Sequence, residues 1–215
     1  RPVQRWEFEK FVAGGGAGGR ETFSAYDFET VIHDGKKYAV YNYNPAKGAR
    51  DARQSIFVQE IDHADSLIQT SSAIYEFQAY PGSEVAWGGL PLVEGGSLYV
   101  EGGRFYLFYS TGTYLYEDYR IGVAVSETSI LGPYHRMMSD GAPAYLLQSR
   151  SAIRQGFVGS DYNAPGGPSI IADGDGVLHI AFHANDAQET PSPASCGIGI
   201  QGNCFDPRVR YTHML

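Results

Sequence analysis

Two carboxylates stand out in the sequence because they fall at nearly the same place in a repeated pattern. Asp27 lies eight residues before Gly35, and Glu94 lies nine residues before Gly103. Each glycine marks the turn of a predicted hairpin, so each acid comes at the start of a hairpin's first strand. Two acids in a partly desolvated pocket are suited to general acid–base chemistry on a glycosidic bond. On spacing alone, the alternative is that both cap backbone amides at strand ends.

The elements that would position these acids are three predicted β-hairpins. In each, a strand-like run, a turn containing glycine or aspartate and a second strand-like run follow one another, at residues 28–41, 97–109 and 169–183. The turn glycines Gly35, Gly103 and Gly176 are 68 and 73 residues apart, which is a nearly constant period.

Further strand-like runs follow the hairpins, at residues 55–61 and 120–126 and, for the third hairpin, at 209–212. Repeated antiparallel meanders with long connections are typical of propeller blades. The sequence therefore predicts an all-β fold built as a β-propeller, with a β-sandwich as the alternative.

The composition excludes some functions and is compatible with others. Lys and Arg number 16 against 24 Asp and Glu, a net charge of −8, which argues against nucleic-acid binding. No run approaches the about 18 apolar residues that a membrane span requires, so we expect a soluble protein with no membrane contact. The 16 tyrosines and 11 phenylalanines favour a neutral ligand such as a sugar.

Two short segments predict no site. The glycine-rich run at residues 13–19 formally matches a nucleotide-binding pattern, but no strand–helix context surrounds it, so residues 1–23 are interpreted as a linker or inter-blade segment. The turn at residues 173–176 resembles the opening of a calcium loop without its terminal acid, and a hairpin turn is the better interpretation. Cys196 and Cys204 predict a local disulfide, with two free thiols as the alternative.

The motifs themselves resemble a known family. The stretch from Val93 to Ser110, in which Glu94 precedes two glycines, resembles the Glu-Gly-Pro blade of the family-43 glycoside hydrolases. The resemblance covers about residues 20–215. Three more motifs occur in the family's order: Ala25–Phe28 with His33–Tyr38, Tyr119–Ser126 with Leu131–Tyr134, and Asn163–Ser169 with His179–Ala184.

The resemblance implies an inverting glycosidase on a five-bladed propeller, secreted and acting on arabinose- or xylose-containing plant polysaccharides. Glu94 would be the general acid, and Asp27 would orient it and raise its pKa, because two nearby negative charges repel. A glycan-binding propeller without catalysis is the alternative.

The chain would supply about three of the five blades, at about 24–62, 91–135 and 164–215. The catalytic base, an Asp on the family's first blade, is expected upstream of Arg1. We expect the missing blades on another chain or fragment, or self-association, to cover the exposed blade faces.

The resemblance also suggests substrate contacts. Trp87, Tyr26 and Phe28 flank the acids and are candidates for stacking on sugar rings, with a place in the core as the alternative. Relatives carry an arginine near the catalytic pair, which Arg208 is expected to supply, with Arg210 as the alternative. Gly167 stands where relatives present an axial histidine. No metal ligand is assigned and no cofactor is expected beyond a calcium or sodium ion that the family allows at the axis.

Overall fold

The computed structural model describes residues 24–44, 54–61, 74–86, 89–149, 162–186 and 211–214. These residues are all-β, and among them there is no α-helix. No helix in this part of the chain is long and apolar enough to cross a membrane. The predicted linker at residues 1–23 lies outside the described residues.

The strands form three main antiparallel sheets. The first contains, in order, β1 (Ser24–His33), β2 (Lys36–Asn44), β3 (Ser55–Ile61) and β4 (Ile74–Phe77). The second contains β5 (Glu94–Glu101), β6 (Arg104–Thr111), β7 (Arg120–Ser126) and β11 (Tyr145–Leu147), and β8 (His135–Arg136) also pairs with β7. The third contains β12 (Tyr162–Ala172), β13 (Leu178–Asp186) and β14 (Tyr211–Met214), while β9 (Met138–Ser139) and β10 (Ala142–Pro143) form a small ribbon.

The three predicted hairpins and their glycine turns are confirmed. The first strand of each hairpin is longer than predicted, because it continues through a β-bulge toward its N-terminal end. The following strands at 55–61 and 120–126 are confirmed, and the last strand begins at Tyr211.

The first strands of the three sheets meet. The Ser97 hydroxyl on β5 donates to Glu29 Oε1 on β1 at 3.1 Å and accepts the Ile170 N–H from β12 at 3.2 Å. The middle sheet thus lies between the other two, with its first strand touching both. This arrangement confirms about three blades of a propeller rather than a β-sandwich.

The seam between the first two blades is closely packed at a glycine. Val40 and Ile56 of the first sheet are fully buried against the second. A Cβ added to Gly96 on β5 would lie 2.8 Å from a methyl carbon of each. Gly96 is therefore needed for close approach of the two blades.

We expect Gly96→Ala to lower the free energy of unfolding by about 1–3 kcal/mol, because the extra methyl overpacks this seam. Urea denaturation checks the change. Gly174→Ala is the matched control, since nothing lies within 4 Å of a Cβ added there. Equal stabilities of the two variants would contradict the prediction.

Candidate active site

The same bulge occurs in the first strand of every blade. One extra residue is inserted at corresponding places, between Tyr26 and Glu29, between Glu94 and Ser97, and between Gly166 and Ser169. Its first residue has a positive φ in each case, 51° at Asp27, 60° at Gly95 and 62° at Gly167. The register thus aligns Asp27 with Gly95, and Glu94 with Tyr26, a shift of one residue between the two acids.

Glu94 is held by hydrogen bonds to both carboxylate oxygens. Gln54 Nε2 donates to Oε2 at 2.7 Å, and the Tyr119 hydroxyl donates to Oε1 at 2.7 Å. Gln54 precedes β3 of the first blade and Tyr119 precedes β7 of the second, so two blades fix the orientation of one carboxyl group.

Asp27 lies beside the backbone of the residue that follows Glu94. Asn42 Nδ2 on the neighbouring strand donates to Asp27 Oδ2 at 2.6 Å, and the Gly95 N–H donates to the same carboxylate. Burial raises the pKa of Asp27, and these two hydrogen bonds oppose the rise because they favour the ionised form. The bond to Gly95 ties Asp27 to the strand that carries Glu94.

Tyr26 shares the site with both acids. Burial raises the pKa of its phenol, and the negative charges of Glu94 and Asp27 raise it further. An ionised phenolate would be the third negative charge in the same place, so Tyr26 stays a neutral hydroxyl. The structure therefore brings Tyr26, Asp27 and Glu94 together.

The third blade contributes the opposite side of this site. The Gly167 N–H donates to Ser110 Oγ at 2.8 Å, next to the position of Glu94 in the β5–β6 register. A Cβ on Gly167 would lie 2.5 Å from His183 Nε2, so the imidazole occupies the space that a side chain at 167 would need. His183 in turn stacks on Tyr119, with ring centroids 6.1 Å apart and 13° between planes.

Residues 19–201 match the family model "Glycosyl hydrolases family 43". The chain belongs to glycoside hydrolase family 43. No protein of curated function matches its sequence.

Solved structures of family-43 and related enzymes share the fold. A thermostable family-43 glycoside hydrolase is 25% identical to this chain with a TM-score of 0.58, and the match covers 75% of this chain and 49% of that protein. The α-L-arabinofuranosidase of Lactobacillus brevis is 19% identical with a TM-score of 0.59, covering 88% and 51%. An endo-1,4-β-xylanase of Bacteroides thetaiotaomicron is 22% identical with a TM-score of 0.59, covering 94% and 64%. The chain thus spans about half to two thirds of the length of these proteins.

Of the remaining predicted substrate contacts, the structure describes only Phe28. Phe28 packs on Tyr41, with centroids 6.4 Å apart, and Tyr41 stacks on Phe57, so the Phe28 ring belongs to an aromatic cluster of the first blade. Trp87 and Arg208 lie outside the described residues, as do both cysteines.

The described residues of this family-43 chain do not by themselves fit a metal ion. They contain no group of three His, Cys, Asp or Glu side chains that could hold one. The ion that the family allows at the axis stays a prediction, and no chemical step is assigned to it.

Sequence reasoning missed the groups that hold the two acids. Asn42 carried a weak signal, since it is an amide that interrupts the apolar and aromatic run from Tyr38 to Tyr43. Gln54 and Tyr119 carried none, because each lies just outside a strand and far from Glu94 in the sequence, Gln54 in another blade and Tyr119 in the same one.

Proposed function

We propose that this chain carries the general-acid half of an inverting glycosidase active site acting on arabinose- or xylose-containing glycans. The observation that carries the proposal is the meeting of Glu94 and Asp27, from two different blades of a family-43 chain, through the Gly95 N–H. An α-L-arabinofuranosidase and an endo-1,4-β-xylanase among the similar structures support this substrate class.

In this mechanism Glu94 protonates the glycosidic oxygen as the bond breaks. It must be protonated to do so, and the negative charge of nearby Asp27 opposes its ionisation. Gln54 and Tyr119 aim the carboxyl group. Asp27 is a positioning and tuning residue, because it acts through Glu94.

The proposal assigns the base to a carboxylate on further blades, in a longer chain or on a partner. Inversion requires a base across the sugar ring, roughly 6.5–9.5 Å from the acid, with a water between. Further blades would also cover the apolar face on which Ile32 is 71% and Phe28 48% exposed. We propose that the protein is secreted, because such polymers are found outside the cell.

The experiment is hydrolysis of aryl α-L-arabinofuranosides, aryl β-xylosides and arabinan by the complete protein, with oligosaccharide binding measured by calorimetry. We expect turnover of at least one of the three. Binding of oligosaccharides without any product over days would contradict the proposal that the protein is an enzyme and would favour a glycan-binding propeller.

Asp27→Asn should reduce kcat/KM about tenfold or more. The alkaline limb of its pH profile should move about one pH unit lower, because without the neighbouring negative charge Glu94 loses its proton at lower pH. Asparagine suits the positive φ at this position and can still accept from Asn42.

The same variant should not lose stability. Because burial raises the pKa of Asp27, its ionisation weakens the fold as pH rises through that pKa. We therefore expect Asp27→Asn to melt no lower than the wild type at about pH 7, with no difference at about pH 3, where both side chains are neutral. Asp34→Asn is the control, since Asp34 has a φ of 50° in an exposed turn. A pH limb that stays in place in Asp27→Asn would contradict the tuning role.

A further inference from the structure

Tyr119 directs its side-chain hydroxyl to Glu94 Oε1, and the fold buries the residue deeply. The residue is 3% exposed, and its hydroxyl lies 2.7 Å from the carboxylate oxygen. Its position just before β7 makes it part of the second blade, like Glu94, while the surface against which its ring packs comes from the third.

Two consecutive glycines make room for the Tyr119 ring and its neighbour. A Cβ on Gly166 would lie 1.9 Å from Tyr119 Cε1, and one on Gly167 would lie 2.5 Å from His183 Nε2. The two rings stack on this bare backbone at 13° to each other. Any side chain at 166 must displace the Tyr119 ring, because the clash is with the body of the ring rather than a flexible end.

The two donors of Glu94 are not equivalent when the acid is protonated. The Gln54 amide nitrogen only donates, so Oε2 has to remain an acceptor. A tyrosine hydroxyl both donates and accepts, so it tolerates either state of its partner. Ionised Glu94 gains a charge-assisted hydrogen bond from the Tyr119 hydroxyl, so this contact favours the ionised form of the acid.

We infer that Tyr119 is a positioning residue that holds Glu94 Oε1 and favours release of the acidic proton of Glu94, with Gly166 and His183 holding its ring. The inference rests on the proposed function in that Glu94 is the general acid. It assigns to the third blade a part in proton transfer, through a ring that its backbone supports.

Other groups act on Glu94 from the elements packed around it. Asp27 and Tyr26 face it from β1, and a negative charge on Asp27 disfavours ionisation of Glu94. His183, on β13, stacks on the Tyr119 ring and acts on Glu94 through that ring. Removing the Tyr119 hydroxyl therefore leaves the repulsion between Asp27 and Glu94 in place and takes away a hydrogen bond that favours ionised Glu94.

The test is the titration of the Glu94 carboxyl carbon by NMR in protein labelled with ¹³C-glutamate, assigned by the signal missing in Glu94→Gln. In Tyr119→Phe we expect the pKa of Glu94 to rise by about one unit, the size typical for loss of a hydrogen bond to a charged group. The alkaline limb of kcat/KM should move to higher pH by the same amount, opposite to the shift in Asp27→Asn. An unchanged Glu94 titration would overturn the inference.

A second variant tests the same idea without removing a titrating group. Gly166→Ala should displace the ring and raise the pKa of Glu94 in the same direction, and the double variant should shift no further than Tyr119→Phe, because both changes remove one contact. Additive shifts would contradict a shared mechanism.

Two controls separate this effect from a general loss of stability. Tyr134→Phe removes a hydroxyl of similar burial that donates to the Ile130 carbonyl at 2.6 Å, and Gly174→Ala adds a methyl where space is open. Neither should move the Glu94 titration. The NMR titration needs no turnover, so an inactive protein with a shifted Glu94 would refute the proposed function alone, and an active one with an unshifted Glu94 would refute only this inference.

Discussion

Glu94→Gln should lower kcat/KM for arabinofuranoside or xyloside hydrolysis by about 10²–10⁴-fold, the usual contribution of a general acid. Glutamine keeps the shape of the side chain and can still accept from Gln54 or Tyr119, but it has no proton to give to the glycosidic oxygen. Steady-state kinetics of the complete protein measure the loss.

The dependence on leaving group identifies the missing proton as the cause. The dinitrophenolate of a dinitrophenyl glycoside departs without being protonated. Hydrolysis of this substrate should therefore fall much less in Glu94→Gln than hydrolysis of an unactivated glycoside. Glu127→Gln is the matched control, because Glu127 is a surface acid, 70% exposed, that pairs with Arg104 at 3.3 Å. An equal loss for both leaving groups would contradict the assignment of Glu94 as the acid.

Arg136→Met should lower the free energy of unfolding by about 3–5 kcal/mol, because it leaves Glu84 as an uncompensated buried charge. Glu84 is fully buried, and Arg136 contacts both of its carboxylate oxygens, at 2.9 Å and 3.0 Å from Nε and at 2.7 Å from NH2. Tyr109 also donates to Glu84, at 2.6 Å. Thermal unfolding should show a melting temperature lower by roughly 10 °C for a domain of this size.

The loss should depend on the unpaired charge rather than on the arginine itself. The double variant Glu84→Leu with Arg136→Met should recover much of the stability, since a buried pair is often replaceable by apolar residues. Lys36→Met is the control, because it breaks an exposed ion pair with Glu60 at 3.0 Å and should leave the midpoint unchanged. A double variant no more stable than Arg136→Met would contradict this explanation.

This ion pair also bears on the active site, although no sequence pattern indicated it. Glu84 lies in the segment that leads into Glu94, and Arg136 lies on β8 of the same blade. Arg136 also donates to the Gln78 carbonyl and lies 4.0 Å over the Phe77 ring. The pair therefore anchors the chain immediately before the strand that carries the acid.

The sequence predicted the elements of the fold well, because their signals are local. The turns at Gly35, Gly103 and Gly176 need residues that adopt positive φ, and the strands around them need alternating apolar and aromatic side chains. Both requirements are met within a few residues of chain. The period of the turns and the order of the motifs then indicated the propeller and the family.

The same reasoning found Asp27 and Glu94 without finding how they meet. Counting from the turn glycine placed them one residue apart in the repeat, and the matching bulges show the same offset, since Asp27 corresponds to Gly95 and Glu94 to Tyr26. A bulge of one residue leaves almost no signal in the pattern of side chains, yet it decides which group faces the site.

By itself, the sequence determined the strands, the turns, the family and the two acids, since each depends on residues that are neighbours in the chain. Only the tertiary structure decided that Gln54 and Tyr119 hold Glu94, that His183 fills the space beside Gly167, and that the backbone of the third blade supports the tyrosine. These contacts join residues that are far apart in the sequence, within one blade or across two, so they depend on how far each strand slides against its neighbour and how closely the blades pack. No local pattern encodes that register.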